Sequence, residues 1–204
     1  MGTGAAPPTT ADWQAPPQER SPAWLTRAVQ SIERSQSLDP PVAVMARISD
    51  RVLRSPHVQA TLRGEQLGHA LHPLLTDFPL GSWMSANLLD LFAGRRARPA
   101  ATGLVGFGIA MALPTAAAGL AEWRSAGHVS RRVGVVHAAV NTTALTLYTA
   151  SLLARLRGNH RHGVVLALAG GGAAWVGGYA GGHLSMVRKI GTADPSFGPV
   201  PDHP

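Results

Sequence analysis

The chain has 204 residues, of which only 14% are charged, against roughly 25% in an ordinary soluble protein. Its formal net charge of +7 comes from 18 basic residues, all but Lys189 arginine, and these gather at the ends of apolar runs rather than in a basic stretch interleaved with aromatics. That pattern argues against nucleic acid as a partner and suits membrane flanks. With no cysteine there is no disulfide, no thiolate metal site and no Cys-ligated iron–sulfur cluster in the chain.

Residues 1–22 are Pro-rich and aperiodic and read as a disordered tail. They lack a basic start followed by an apolar core, so they do not read as a signal peptide. Residues 23–65 form an amphipathic segment. Trp24, Leu25, Ala28, Val29 and Ile32 recur at helical spacing, and over 42–54 Met45, Ile48 and Val52 oppose Arg47, Arg51 and Arg54. Two readings stay open for these helices. Their arginines meet anionic lipid headgroups, or they form a solvated face on helices packed against the rest of the chain.

Residues 66–191 are expected to hold four membrane spans. Pro99–Ala121 has 23 residues without Asp, Glu, Lys or Arg, Val133–Ala154 has 22 and Gly163–Val187 has 25. Each exceeds the length of about 18 that a spanning helix needs. The earlier run Leu74–Gly94 carries Asp77, Asn87 and Asp90 but is closed by Arg95, Arg96 and Arg98, and it completes an even number of spans. The expected fold is therefore all-α: an integral membrane four-helix antiparallel bundle preceded by amphipathic helices, with a flexible tail at 192–204. Both termini are expected in the cytoplasm of a multi-pass cell-membrane protein, although the flanking arginines are almost evenly divided between the two sides.

Antiparallel topology sorts the polar residues by depth. His69, His72 and Asp77 before and within the first span, Glu122 after the second, His137 and Asn141 in the third and His183 in the fourth all fall toward one end. Tyr148 lies seven residues beyond Asn141, on the same helical stripe. Ionisable groups at such depth suggest a use. The expected site places His72, His137 and His183 within reach of one another as cofactor ligands, with His69, Asp77, Glu122, Asn141 and Tyr148 as a surrounding polar cluster. A b-type haem and a quinone are the two cofactor chemistries considered, and proton transfer is the third use. The set of small residues at 170, 174, 178 and 182 predicts close helix contact, with Gly178 and Gly182 against a neighbour. Pro79 and Pro114 are expected to kink their helices and free backbone carbonyls.

The blocks "LRGEQLGHALHPLLTDFPLGSWMSANLLDLF", "ALPTAAAGLAEW", "RRVGVVHAAVNTTALTLY" and "GGYAGGHLSMVRKIG" occur in order over residues 62–191 and resemble the bacterial membrane family called domain of unknown function 2231. The resemblance implies a four-helix membrane domain, often fused in that family to a Rieske iron–sulfur domain, and it carries no assigned catalytic residues. For a chain without cysteine it implies a separate Rieske-type or other redox partner. The resulting expectation is a redox-associated membrane module with no autonomous enzyme activity. The alternative is a non-redox scaffold or a small oligomeric transporter. Oligomeric state is not readable from the sequence.

Overall fold

Pro56, Asp39-Pro-Pro and Arg98-Pro each open a helix in the computed structural model, which describes residues 23–191. Proline is tolerated there because the first-turn N–H groups have no intrahelical acceptor. The described helices are α1 (Trp24–Arg34), α2 (Asp39–Val52), α3 (Pro56–Arg63), α4 (Leu71–Phe92), α5 (Arg98–Ser125), α6 (His128–Leu156) and α7 (His160–Gly182), the last running into a wider turn over His183–Val187. No strand occurs among the described residues. The two tails expected at 1–22 and 192–204 lie outside them.

Two stretches, Arg95–Ser125 and His160–Val187, are long and apolar enough to cross a membrane by length and hydropathy. The other two long helices, α4 and α6, pack with them to close a ring in which α4 touches α5 and α7, and α6 touches α5 and α7. The links are short. Gly158, at φ +81°, lets the chain reverse between α6 and α7 in a conformation that a Cβ would strain. Helices α5 and α6 extend beyond both ends of the apolar runs that predict them, and α4 and α7 begin three residues before theirs.

The centre of the bundle is small and tightly filled. Ala86, Ala101, Val105 and Ala167 are fully buried around Trp83 and Tyr148, whose rings stack at 4.2 Å with an 11° interplanar angle. The outer surface carries the bulk instead: Leu74, Phe78, Met84, Leu88, Leu91, Phe107, Leu113, Leu153, Val165 and Trp175 are all exposed.

Helices α1 to α3 do not stand apart. They pack on the end of the bundle where α5 stops and α6 begins, with α1 and α2 on α6 and α3 against α4 and α5. Val29, Val42 and Leu53 are the buried apolar anchors. Gly64, at φ +75°, turns the chain from α3 toward α4, and a Cβ there would strike the carbonyl of His69. α3 itself, an eight-residue helix, has no counterpart among the expected elements.

The small-residue set on α7 is corrected at its lower half. Gly170 and Ala174 are buried, but nothing lies within 4 Å of the Cβ position of Gly178 or Gly182. The inward stripe continues through Gly177 and Gly181. The reason is geometric: each four-residue step turns about 400°, so a strict i+4 ladder drifts about 40° per step around the helix.

Candidate functional site

Proline sets up the first part of the site. Pro79 has no N–H for the carbonyl of Leu75, four residues earlier. The hydroxyl of Thr115 on α5 reaches that carbonyl at 3.2 Å and shares itself with the Met111 carbonyl at 2.7 Å. One turn before Leu75, His72 lies over α5. Its Nδ1 bonds the Thr115 carbonyl at 2.8 Å, and its ring fills the space left by Gly119, where a Cβ would come within 2.8 Å of Cε1. The His72 backbone N–H donates to Glu122 Oε1 at 3.2 Å. Glu122 thus supplies from α5 the cap that Ala70 cannot give the first turn of α4.

His137 is built the same way from α6 and α7. Its Nδ1 bonds the Gly177 carbonyl at 2.9 Å, and Gly181 leaves room for its ring. Because a carbonyl only accepts, Nδ1 is the donor in both bonds. In His137 the other ring nitrogen, Nε2, faces the Asn141 amide at 3.0 Å, one turn further along α6. The imidazoles of His72 and His137 meet edge to face, with ring centroids 6.2 Å apart and an 83° interplanar angle. They come from α4 and α6, the helices that face each other across the ring.

Four of the eight expected residues therefore come together: His72, His137, Glu122 and Asn141. Three of the others, His183, Asp77 and Tyr148, do not join them. His183 is turned to α1, where its Nε2 bonds Glu33 Oε1 at 2.8 Å, so the expected three-histidine site is corrected to a pair. The physical reason is that Glu33 is a buried carboxylate, and it gathers Arg188 as well through Nε at 2.7 Å and a second guanidinium nitrogen at 2.6 Å. Asp77 is exposed on the outer face of α4, beside Leu74 and Phe78. His69 sits in the turn before α4. Tyr148 lies two turns deeper and belongs to the central layer, where Asn87 donates to its hydroxyl at 3.0 Å. Among the described residues no three His, Asp or Glu side chains are arranged to hold a metal ion.

Two charged constellations escaped the sequence reading. At the far end of the bundle Asp90 and Arg155 form a bidentate ion pair whose side chains are each 1% exposed. His160 joins at 3.3 Å from Asp90, and Ser151 accepts from Arg155 Nε at 3.1 Å while donating to the Gly163 carbonyl at 2.6 Å. At the near end Arg132 grips Asp39 at 2.8 and 2.9 Å and donates to the Glu33 carbonyl at 2.9 Å. The guanidinium of Arg188 beside Glu33, and that of Arg132 beside Asp39, hold both carboxyls below the usual carboxylate range. A third pair, Arg124 with Asp50, ties α2 to the end of α5.

One cavity, of about 340 Å³, opens sideways between α4 and α7. It is lined by Leu80, Trp83, Met84, Tyr148, Trp175 and Tyr179, with Gly171, Ala174 and Gly178 as its floor.

No curated protein and no solved structure matches the chain. Residues 68–194, more than half of the chain and all of the four-helix ring, match the family described as predicted membrane protein, DUF2231, and the chain belongs to that family.

Proposed function

We propose that α4 to α7 all cross the cell membrane, with both termini in the cytoplasm, and that the His72–His137 pair is a proton-handling site serving a separate redox partner. The observation that carries the membrane part is the inversion of size. Large apolar side chains face outward, while alanine, glycine and the polar side chains that bond across the ring face inward, as helix packing in lipid favours. It also accounts for the two helices whose hydropathy is low. On α6 the outward Thr142, Thr143, Thr146 and Thr149 each return their hydroxyl to the carbonyl four residues earlier, at 2.8 to 3.0 Å. A hydroxyl satisfied in this way is cheap in lipid. On α4, Asn87 donates to the Tyr148 hydroxyl and Asp90 holds Arg155 inside the ring, while the Asn87 amide oxygen is buried without a partner.

For the site, support comes from two imidazoles meeting edge to face inside the ring, each with Nδ1 fixed as a donor to a backbone carbonyl. Of the two cofactor chemistries, haem does not fit this arrangement. Nε2 of His137 is engaged by Asn141, and Gly119 and Gly181 are filled by the rings themselves, leaving no slot for a porphyrin. A quinone agrees better with a lateral aromatic groove that opens toward the lipid. The Tyr148 hydroxyl stands just behind the Gly171 wall of that groove.

The scaffold reading has its own support, because each imidazole also staples two helices together, α4 to α5 and α6 to α7. Imidazole ¹⁵N spectra of the full chain in lipid nanodiscs, recorded between pH 5 and 8, separate the readings. The proton-handling reading expects the pair to take up a proton in that window and His137 to respond in a His72→Gln variant. A pair of Nδ1–H tautomers that stays neutral throughout reduces both residues to staples. A Soret band in the purified protein would restore haem. Thiol labelling of the cysteine-free chain at His57→Cys and Arg96→Cys tests the topology: the two positions should be reachable from opposite sides.

A further inference from the structure

We propose that α2 lies on the bilayer surface and docks there on anionic phospholipid headgroups. The inference rests on the four-span reading, which sets α1 to α3 at the membrane–water boundary.

α2 has three distinct faces. Val42 and Ser49, with Leu53 at the helix end, are buried against the bundle. Val44, Ile48 and Val52 recur every four residues and are 51%, 48% and 52% exposed. At 100° per residue they share a sector of about 80°. Arg47 and Arg51 are exposed on the adjoining sector, and Arg54, two residues past the helix end, is exposed as well. None of these three forms an ion pair among the described residues, whereas Arg124, Arg132 and Arg188 at the same end each hold a carboxylate. The fold has spent Asp50, Asp39 and Glu33 on docking the N-terminal helices, and Arg47, Arg51 and Arg54 are left exposed.

An aliphatic strip edged by unpaired arginines matches one surface well. At a membrane interface the strip reaches the acyl boundary, while the arginine stems lie along it and their guanidinium groups meet phosphates bidentately. A second copy of α2 would oppose arginine to arginine. An acidic peptide would satisfy the charges and leave the strip in water.

Because the chain has no cysteine, a nitroxide at Ile48→Cys reports from one position only. The full-length protein is placed in nanodiscs of phosphatidylcholine, with or without phosphatidylglycerol, and collision rates are measured with oxygen, which concentrates in lipid, and with a nickel chelate, which stays in water. In the anionic discs the nickel collision rate at position 48 should be about fivefold lower than in phosphatidylcholine alone. Replacing Arg47, Arg51 and Arg54 together by Glu should abolish that difference, and replacing them by Gln should weaken it. A label at Leu88→Cys, on the outward face of α4, serves as the control for insertion and folding in every variant. Nickel access at 48 in both lipids, with 88 still in lipid, overturns the docking proposal alone. Nickel access at 88 in the unsubstituted background overturns the four-span reading beneath it. Spin–spin broadening between separate chains at 48 would show a second copy on the strip and also overturns the proposal.

Discussion

Gly119→Ala tests the histidine pair through the space that holds it. The added Cβ would stand 2.8 Å from His72 Cε1 and 2.9 Å from Nδ1. Ordinary contact between such atoms is about 3.5–4.0 Å, so the ring must withdraw by roughly 0.7 Å. Thr115 and Gly119 are neighbours one turn apart on α5, and the ring lies across both. Withdrawing it stretches the 2.8 Å bond from Nδ1 to the Thr115 carbonyl toward about 3.5 Å, where little remains of it. Overpacking costs about 1–3 kcal/mol and the lost hydrogen bond about 1. Against this stands a gain of up to about 1 kcal/mol from replacing glycine in a helix. The net expectation is a loss of about 1–3 kcal/mol. Gly178→Ala is the matched control, since nothing lies within 4 Å of its Cβ position and only the helix gain applies. At about 2–4 °C per kcal/mol, the two variants should melt roughly 5–10 °C apart in detergent followed by circular dichroism. In a His72→Ala background the clash has no partner, so Gly119→Ala should become neutral or stabilising, closing a double-mutant cycle. The reasoning is refuted if Gly119→Ala melts with the wild type, or if its penalty persists without the imidazole.

Three further outcomes follow from the charged and kinked regions. Asp90→Asn leaves Arg155 buried without its counter-charge and should cost about 3–5 kcal/mol in chemical unfolding, whereas the paired change Asp90→Leu with Arg155→Met should recover most of it; equal losses in both would show that the pair's charge is not what matters. Thr115→Val removes the hydroxyl that serves the Leu75 carbonyl freed by Pro79 and should cost about 1–2 kcal/mol by the same measurement, while Thr142→Val on the outer face should cost little. Glu33 has its carboxyl lowered in the folded chain by Arg188, so its contribution is complete above its ordinary value of about 4.3 and is lost as pH falls through the lower folded value. Acidification below about pH 4 should therefore loosen α1 from the bundle, seen as a lengthening spin-label distance from Ser31→Cys to Arg161→Cys, and Glu33→Gln should loosen it already at pH 7.

What the sequence exposed well was helical character and chain order. Those follow from local run length and topology. It also foresaw that Pro79 would free a carbonyl, though not that Thr115 would collect it. Partner choice for His183 was out of reach, because it depends on Glu33, 150 residues away, and on how α1 docks. Arg155 was read as a flanking charge because it follows the third apolar run, Val133–Ala154. A stripe through Ala144, Tyr148, Ser151 and Arg155, at offsets of four, seven and eleven, does mark an inward face on α6, and Trp83, Asn87 and Asp90 mark the matching one on α4. Reading the stripes instead of the run ends would have paired Asp90 with Arg155. The near-even count of basic residues on the two sides was blunt for a related reason. It did not separate Arg124, Arg132 and Arg188, engaged in holding α1 and α2 down, from arginines that remain outside.

The glycines give the bundle its particular logic. A ladder of small residues in an apolar helix is ordinarily read as an invitation to close backbone contact. Here the atoms that meet the missing Cβ are mostly polar or aromatic side chains: the His72 ring at Gly119, the His137 ring at Gly181, the Asn141 amide at Gly177, the Asn87 amide at Gly171, the Arg155 stem at Gly163, and the indoles of Trp83 and Trp123 at Gly108 and Gly134. Each is a bulky group carried to the inside of a ring whose large aliphatic side chains point outward. Polar groups at such depth are costly unless bonded, and the bonds of His72, His137, Asn141 and Arg155 run to backbone carbonyls and side chains that only a shallow neighbour lets them reach, while the Trp83 indole N–H and the Asn87 amide oxygen are buried without a partner. Glycine in this fold thus makes room for a polar interior, and the positions without that duty, Gly178 and Gly182, are the ones that face away.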